Sequence, residues 1–214
     1  MTDQDSRFNE IWQIIEQVDS TVANIRAALR LKKLLKLPQN TWHFWSQQEL
    51  AAIDIITNAQ VRAANKLQDV EAEKWIKECE LAYKTPPGRG IFGLMGHHYP
   101  TPEFYKGRLN GIRLDLYAIN NGLTQPREQL TGWLEALRIN QVIIDAVSQW
   151  CTDSNEKILL INRLHTLISA QQTATLLLTN IINTQALAQS QIQSLDTLIT
   201  ITISNWQMSL AGNR

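Results

Sequence analysis

From Asp153 to Leu210 the chain contains neither Pro nor Gly, and this stretch limits the fold more than any other feature. Asp153 followed by Glu156 forms a capping box, in which the Asp side chain accepts a free backbone N–H and the Glu reaches back. Apolar residues then recur at helical spacing. They are Leu160, Leu164, Leu167, Ala170, Ala174, Leu177, Ile181, Ala188, Ile192, Leu195, Ile199 and Trp206. The pattern predicts one continuous helix about 80 Å long, which we call the spine.

The middle of the spine is uncharged. No Asp, Glu, Lys or Arg occurs between Thr166 and Leu195, where the polar positions hold Gln, Thr, Ser and Asn. Because unpaired amides are costly in hydrocarbon, a segment this polar is not predicted to span a membrane. A coiled coil normally keeps Glu and Lys beside its seam. The uncharged flank is therefore either solvated, with the spine packing only within the chain, or an assembly contact.

Composition and charge exclude some partners. The chain has 214 residues, enough for one or two domains with a buried core. Its formal net charge is zero, so no overall field recruits DNA, RNA or an anionic membrane, and no nucleic-acid partner is expected. The segment 1–10 is polar and acidic and lacks a signal-peptide pattern. We expect a cytoplasmic protein, or a periplasmic or cell-surface one if a signal peptide was removed.

A long first helix is predicted over about 5–37, ahead of the helix-stopping Pro38. Its beginning is acidic and its end is basic. That order matches the helix dipole, which favours anions at the first turn and cations at the last. The alternative is that the basic end binds an anionic surface.

A second helix is predicted from Thr41 or Ser46 to about Lys84, and with the first it would form a helical hairpin. Ser46 and Glu49 have the spacing of a capping box. A cluster of three aromatic residues lies at the turn of the hairpin. It either packs at the end of a bundle or marks a contact site. It consists of Trp42, Phe44 and Trp45.

The segment from Thr85 to Pro100 holds four Gly and three Pro and is predicted to be a loop. It also holds large apolar residues, so it either packs under the helices or forms an exposed patch that binds a protein or a membrane. We place the candidate contact residues here: Arg89, Phe92, Leu94, Met95 and Tyr99. The adjacent His97 and His98 lack further metal-ligand spacing, so no metal site is predicted.

Two shorter helices are predicted between this loop and the spine. Thr101 is the N-cap of the first, and Asn120 to Gly122 is a candidate left-handed C-cap. The second extends from Thr124 to about Cys151. The whole pattern predicts an all-α fold: an elongated bundle of long helices (1–84 and 152–214) with a small helical appendage (85–151).

The chemistry-bearing residues form no recognisable catalytic or metal-binding set. Cys79 and Cys151 lack zinc spacing, and they are either buried thiols or one disulfide. In an oxidising compartment we predict that they are bonded, because both lie at ends of helices that could meet. No sequence motif combines a nucleophile, a general base and a group that orients the base. The chain is therefore not predicted to be an enzyme, and no cofactor is expected.

Several short motifs suggest a family. They are a Gly/Pro-broken loop ending in Tyr99-Pro100, then Phe104-Tyr105, Asn155-Glu156, Leu160 to Leu164, and the Gln-rich segment Ser169 to Gln193. Over about 92–198 the chain resembles the TrbJ-type proteins of conjugative type IV secretion, which are related to the minor pilins that cap the conjugative pilus. The resemblance implies an exported protein without catalysis or cofactor. Its partners would be pilin or secretion-channel subunits, contacted during pilus assembly or cell contact.

A second interpretation is a cytoplasmic helical scaffold or adaptor protein. The intact Met1 and the charged first hairpin favour it. The apolar loop leaves contact with a membrane open, although such contact is not predicted. Neighbouring genes for a pilin, a secretion ATPase or a relaxase would favour conjugation over a scaffold.

Overall fold

The structure is a computed structural model that describes residues 3–84 and 101–212. The fold is all-α, as the sequence predicts. The α-helices are α1 Asp3–Val18, α2 Ile25–Leu35, α3 Gln47–Asp69, α4 Ala72–Lys84, α5 Pro102–Gly122, α6 Thr124–Trp150, α7 Ser154–Thr197 and α8 Ser204–Gly212. A 3₁₀ helix, Gln39–Phe44, precedes α3, and a π-helical segment, Leu198–Ile203, joins α7 to α8.

The prediction of one helix over 5–37 is wrong, because the chain breaks between α1 and α2. The Asp19 carboxylate accepts bonds from the backbone N–H and the hydroxyl of Thr21 (3.0 and 2.6 Å), which closes a local turn. Asn24 then caps α2 by accepting the N–H groups of Arg26 and Ala27. Short polar side chains that bond the nearby backbone compete with the helix and end it here.

The same turn shifts the acidity of Asp19. The Thr21 hydroxyl first, and then Arg138 at 3.0 Å, lower the pKa of this carboxyl from 3.8 to about 2. The charged form is therefore favoured in the folded chain. The charged carboxylate contributes its full stabilisation above the pKa of Asp19 in the unfolded chain, 3.8. This contribution is lost as the pH falls from 3.8 toward about 2.

The prediction of one helix from Thr41 or Ser46 to about Lys84 is also wrong. α3 ends at Asp69, and Glu71 adopts a left-handed conformation with φ of 49°. The carbonyl of Glu71 accepts the N–H groups of Lys74 and Trp75 and so begins α4. Glycine is the residue that usually signals a left-handed joint. None occurs at this joint, which is why the sequence pattern appears continuous.

The N-terminal end of α5 agrees with the prediction, and its C-terminal end does not. Thr101 is the N-cap, and its hydroxyl accepts the N–H of Phe104, as predicted. At the other end Gly122 belongs to the helix and Leu123 is the C-cap with φ of −93°. The left-handed C-cap predicted at Asn120 to Gly122 is therefore wrong.

The predicted continuity of the spine is confirmed through α7, which has 44 residues. Asp153 accepts the N–H groups of Asn155 and Glu156 at its start, which is the first half of the predicted capping box. The helix widens to π geometry only at Leu198–Ile203, a run of Leu, Ile and Thr. β-Branched side chains crowd the preceding turn of an α-helix, and π geometry is found mostly as single turns within longer helices, as here.

The described residues divide into two compact units. Unit 1 consists of Met1–Asn58 and Pro126–Thr179, and unit 2 of Ala59–Gln125 and Asn180–Arg214. This division follows neither the predicted bundle nor the predicted appendage, because α5 belongs to unit 2 and nearly all of α6 to unit 1. A helix buried as fully as the second half of α6 has to lie at the centre of a core.

Unit 1 is built around α6. The second half of this helix is buried on almost every side, and apolar residues from α1, α2 and α7 are buried in the same unit. The completely buried residues of this unit include Ile11, Ile15, Leu31, Leu34, Leu137, Ile143, Ile144, Leu167 and Ala174.

Unit 2 has its own core, in which α5 and the last part of the spine pack with α3 and α4. Its buried residues include Leu67, Cys79, Tyr105, Leu109, Leu116, Ile192, Leu195, Ile203 and Trp206. Two aromatic contacts at Trp206 close one end of this core. Its ring centroid lies 6.0 Å from that of Tyr105 and 6.3 Å from that of Tyr83.

Candidate contact surfaces

The five residues predicted to make contacts, Arg89, Phe92, Leu94, Met95 and Tyr99, lie outside the described residues, as do His97 and His98. Their prediction stays a prediction. The described part of the chain holds three further features, namely a buried polar cluster, an uncharged helix face and a groove. Of these three features, the sequence pattern indicates only the uncharged helix face.

The buried polar cluster lies in unit 1 and is centred on Asn140, which is completely inaccessible. Its side-chain oxygen accepts the N–H groups of Arg30 (3.1 Å) and Trp45 (3.0 Å). Its amide nitrogen donates to the Ser46 hydroxyl and to Glu49 (3.4 Å). Arg30 and Glu49 complete the set with an ion pair of 2.8 Å. We call these five residues the Asn140 cluster.

Local backbone geometry places Ser46 in this cluster. Ser46 is buried and left-handed, with φ of 70°, and α3 begins just after it. The capping box predicted for Ser46 and Glu49 is wrong, because both side chains instead bond to groups on α6 and α2. A non-glycine residue in this conformation is strained and persists only where its surroundings hold it.

A second anchor secures the same turn. Arg163 of α7 donates to the backbone carbonyls of Trp45 and Phe44. Burial lowers the pKa of this guanidinium, and the nearby Glu49 partly opposes that shift. The three residues of the predicted aromatic cluster therefore have different environments. Trp42 is buried, Trp45 bonds to Asn140, and Phe44 is 58% exposed.

The sequence does carry one signal for the cluster. Asn140 falls on the apolar stripe of α6, with Leu137, Ile143 and Val147 on the same face. An Asn at such a position has to find hydrogen-bond partners within the core. The signal identifies a buried polar site but not its partners, which come from distant parts of the chain.

The uncharged part of α7 exposes large apolar side chains. Within unit 1, Leu176 is 67% exposed, and Ile168 is exposed to a lesser extent. Within unit 2, Leu187 is 47% exposed, and Ile182 is also exposed. The polar residues between them are neutral, and several Thr hydroxyls donate to the carbonyl four residues back. This face, which we call the neutral face, is thus poorly suited to contact with water alone.

A groove of about 810 Å³ lies in unit 2 between α3 and α5. The α3 wall includes Arg62 and Lys66. The α5 wall carries small residues, and a Cβ built on any of its glycines meets no other heavy atom within 4 Å. The small residues of that wall are Gly107, Gly111, Ala118 and Gly122. The groove is therefore open along these small residues, while Arg108, Ile112 and Asp115 are among the larger residues of the same wall.

The two cysteines are free and buried, so the bond predicted for an oxidising compartment is absent. Burial, and then the charge of Glu80, raise the pKa of the Cys79 thiol to about 11. Since an unfolded thiol ionises near 9.0, the folded chain holds this proton more tightly. Its contribution to stability falls as the pH rises from 9.0 toward about 11.

No cluster of three or more His, Cys, Asp or Glu in 3–84 or 101–212 could hold a metal ion. Among the same residues, no helix combines the length and the apolar character needed to cross a bilayer.

Comparisons with known proteins add no relative. No family model, no curated protein and no solved structure matches the chain.

Proposed function

We propose that the protein is a non-enzymatic component of a conjugative type IV secretion apparatus, similar in role to a minor pilin, and that it acts through protein–protein contacts. The observation that supports contact is the neutral face of α7, where Leu176 is 67% exposed in a stretch without charge. The apparatus is suggested by the resemblance of residues 92–198 to TrbJ-type proteins.

The composition of the neutral face favours a protein partner over water. Helices that are only solvated normally carry charged residues on the outer face. The fully buried centres of protein interfaces are instead depleted of charge. A partner that covers Leu176 or Leu187 would bury apolar surface without removing any charge from water. The expected partners are pilin or secretion-channel subunits.

A substitution on the neutral face tests this proposal in cells. Donor cells lacking the gene should transfer DNA poorly, and the parent gene should restore transfer. Leu176→Gln should restore it incompletely and should reduce co-purification of pilin or channel subunits. Because the side chain is exposed, the free energy of unfolding should stay within about 0.5 kcal/mol of the parent. Mating frequency, co-purification and thermal melting are the three measurements.

The matched control is Ile25→Gln, which changes an even more exposed side chain, 77% accessible, on α2. It should transfer like the parent. If deletion of the gene leaves transfer unchanged, the protein is not part of the conjugative apparatus. Co-purification with cytoplasmic proteins would then favour the scaffold interpretation.

The predicted contact loop has its own test. Replacing Phe92 and Leu94 together by Ser should reduce partner binding or transfer while the free energy of unfolding changes by less than about 1 kcal/mol. Apolar residues that face solvent cost little stability when they become polar. A double variant that unfolds would show that these side chains are core residues, and the loop would no longer be a candidate site.

A further inference from the structure

One face of α5 carries small residues at several positions along its length. Gly107, Gly111 and Gly122 lie on this face with Ala118. Leu114 stands beside them and is 65% exposed. Glycine is a poor helix former and is used where another backbone approaches closely. A face of small residues beside a projecting leucine has the shape of a helix-packing surface.

Two charges lie at the edge of this face. Arg108 and Asp115 are seven residues apart, so they occupy the same side of α5 about 10 Å from each other. Among the described residues, no salt bridge includes either of them. The Arg108 guanidinium lies 4.6 Å from the ring centroid of Trp75. Such stacking orients an arginine and leaves its N–H groups available for a carboxylate.

We propose that two copies of the chain associate through α5, packed antiparallel about a two-fold axis that passes midway between Gly111 and Ile112. In this register Arg108 of one copy lies level with the partner's Asp115, and the reverse pair forms by symmetry. Antiparallel helices bring the same edge of each helix together, so both pairs lie on the same side of the contact.

The same register matches the shapes of the two faces. Leu114 of one copy lies level with position 109 of the other, which is between the partner's Gly107 and the partner's Gly111. The missing Cβ atoms there leave a hole for the leucine side chain, as in ridges-into-grooves packing. One axis position therefore satisfies both the pair of charges and Leu114, the most exposed large apolar side chain described on α5.

The groove borders the edge of α5 that carries Arg108 and Asp115. Its α3 wall adds charges of both signs, because Arg62, Lys66 and Asp69 all line it. This pairing does not depend on the function proposed above, because the surfaces involved are those of α3 and α5 and not of α7.

The first test is sedimentation equilibrium of the full chain across the micromolar range. The parent should dimerise, and Gly107→Ala and Gly111→Ala should each weaken the dimer at least about tenfold, because the added methyl fills the hole for Leu114. Both variants should melt no earlier than the parent when measured as monomers, since the methyl has open space there. The control is Gly132→Ala on α6, another helical glycine with open space, which should leave the dimer unchanged.

Charge reversal provides the second test. Arg108→Asp alone and Asp115→Arg alone should each place like charges together and weaken the dimer, whereas the double variant should restore it. Raising the salt concentration should weaken the parent dimer. A parent that is monomeric throughout the range overturns the proposal. A dimer that is insensitive to the alanine and charge variants overturns it as well, since its interface must then lie elsewhere.

Discussion

Leu177→Pro should lower the free energy of unfolding by at least about 3 kcal/mol. Proline at this position removes a backbone donor from the middle of α7, and its ring clashes with the carbonyl four residues earlier. Leu177 is also only 5% exposed, so its side chain is lost from the core of unit 1. Both units take buried residues from α7, so the damage should be visible in urea unfolding followed by circular dichroism.

Variants at the neighbouring Leu176 separate the effect of proline on the backbone from the effect of lost side-chain packing. Leu176 is 67% exposed, and Leu176→Ala should change stability by less than about 0.5 kcal/mol. Leu177→Ala should cost about 2 to 5 kcal/mol through lost packing alone. Leu176→Pro should cost about 3 kcal/mol through the backbone alone. If both proline variants melted like the parent, α7 would not be part of the cooperative fold.

The sequence was sufficient for the spine because its signals are local and repeated. A stretch without Pro or Gly, an Asp at the N-cap and an apolar residue every three or four positions all indicate the same helix. Ten of the twelve residues on the predicted stripe are buried, from Leu160 to Trp206. Their agreement explains why the prediction of a continuous helix through residues 179–190 is confirmed.

The breaks within the two N-terminal helices were not predicted, because each depends on a single conformational choice. Asp19 ends α1 by bonding Thr21, and Asp favours such bonds at caps and turns without forming one at every position. Glu71 is left-handed without being Gly or Asn, the usual residues there. An apolar periodicity that continues across a joint conceals it, since the core-facing residues on both sides keep a similar spacing.

The Asn140 cluster shows a further limit. Its members come from α2, the turn before α3, α3 itself and α6, at separations that no local pattern connects. The sequence pattern places Arg30 in the basic end of a helix and Glu49 in a capping box. Only the fold shows that they form one ion pair beside a buried amide.

We expect Asn140→Ala to cost about 3 kcal/mol of unfolding free energy, the second large effect in this chain. The substitution removes the acceptor for Arg30 and Trp45 and the donor to Ser46 and Glu49. A buried polar group without a partner keeps the full cost of its desolvation, about 1 to 3 kcal/mol each. The left-handed Ser46 would also lose the bond that helps to hold it. Urea unfolding measures the change.

A matched control and a double-mutant cycle show whether the loss of stability comes from the Asn140 cluster as a network. Asn162→Ala removes an exposed asparagine from α7 and should stay within about 0.5 kcal/mol of the parent. Arg30→Ala should be costly alone but should add little to Asn140→Ala, because both remove parts of one network and its coupling energy is of the order of 1 kcal/mol or more. Strictly additive losses would show that the two side chains act independently. An Asn140→Ala chain as stable as the parent would show that water or rearranged side chains satisfy the cluster, and that other bonds hold the turn at Ser46, among them those of Arg163 to the carbonyls of Phe44 and Trp45.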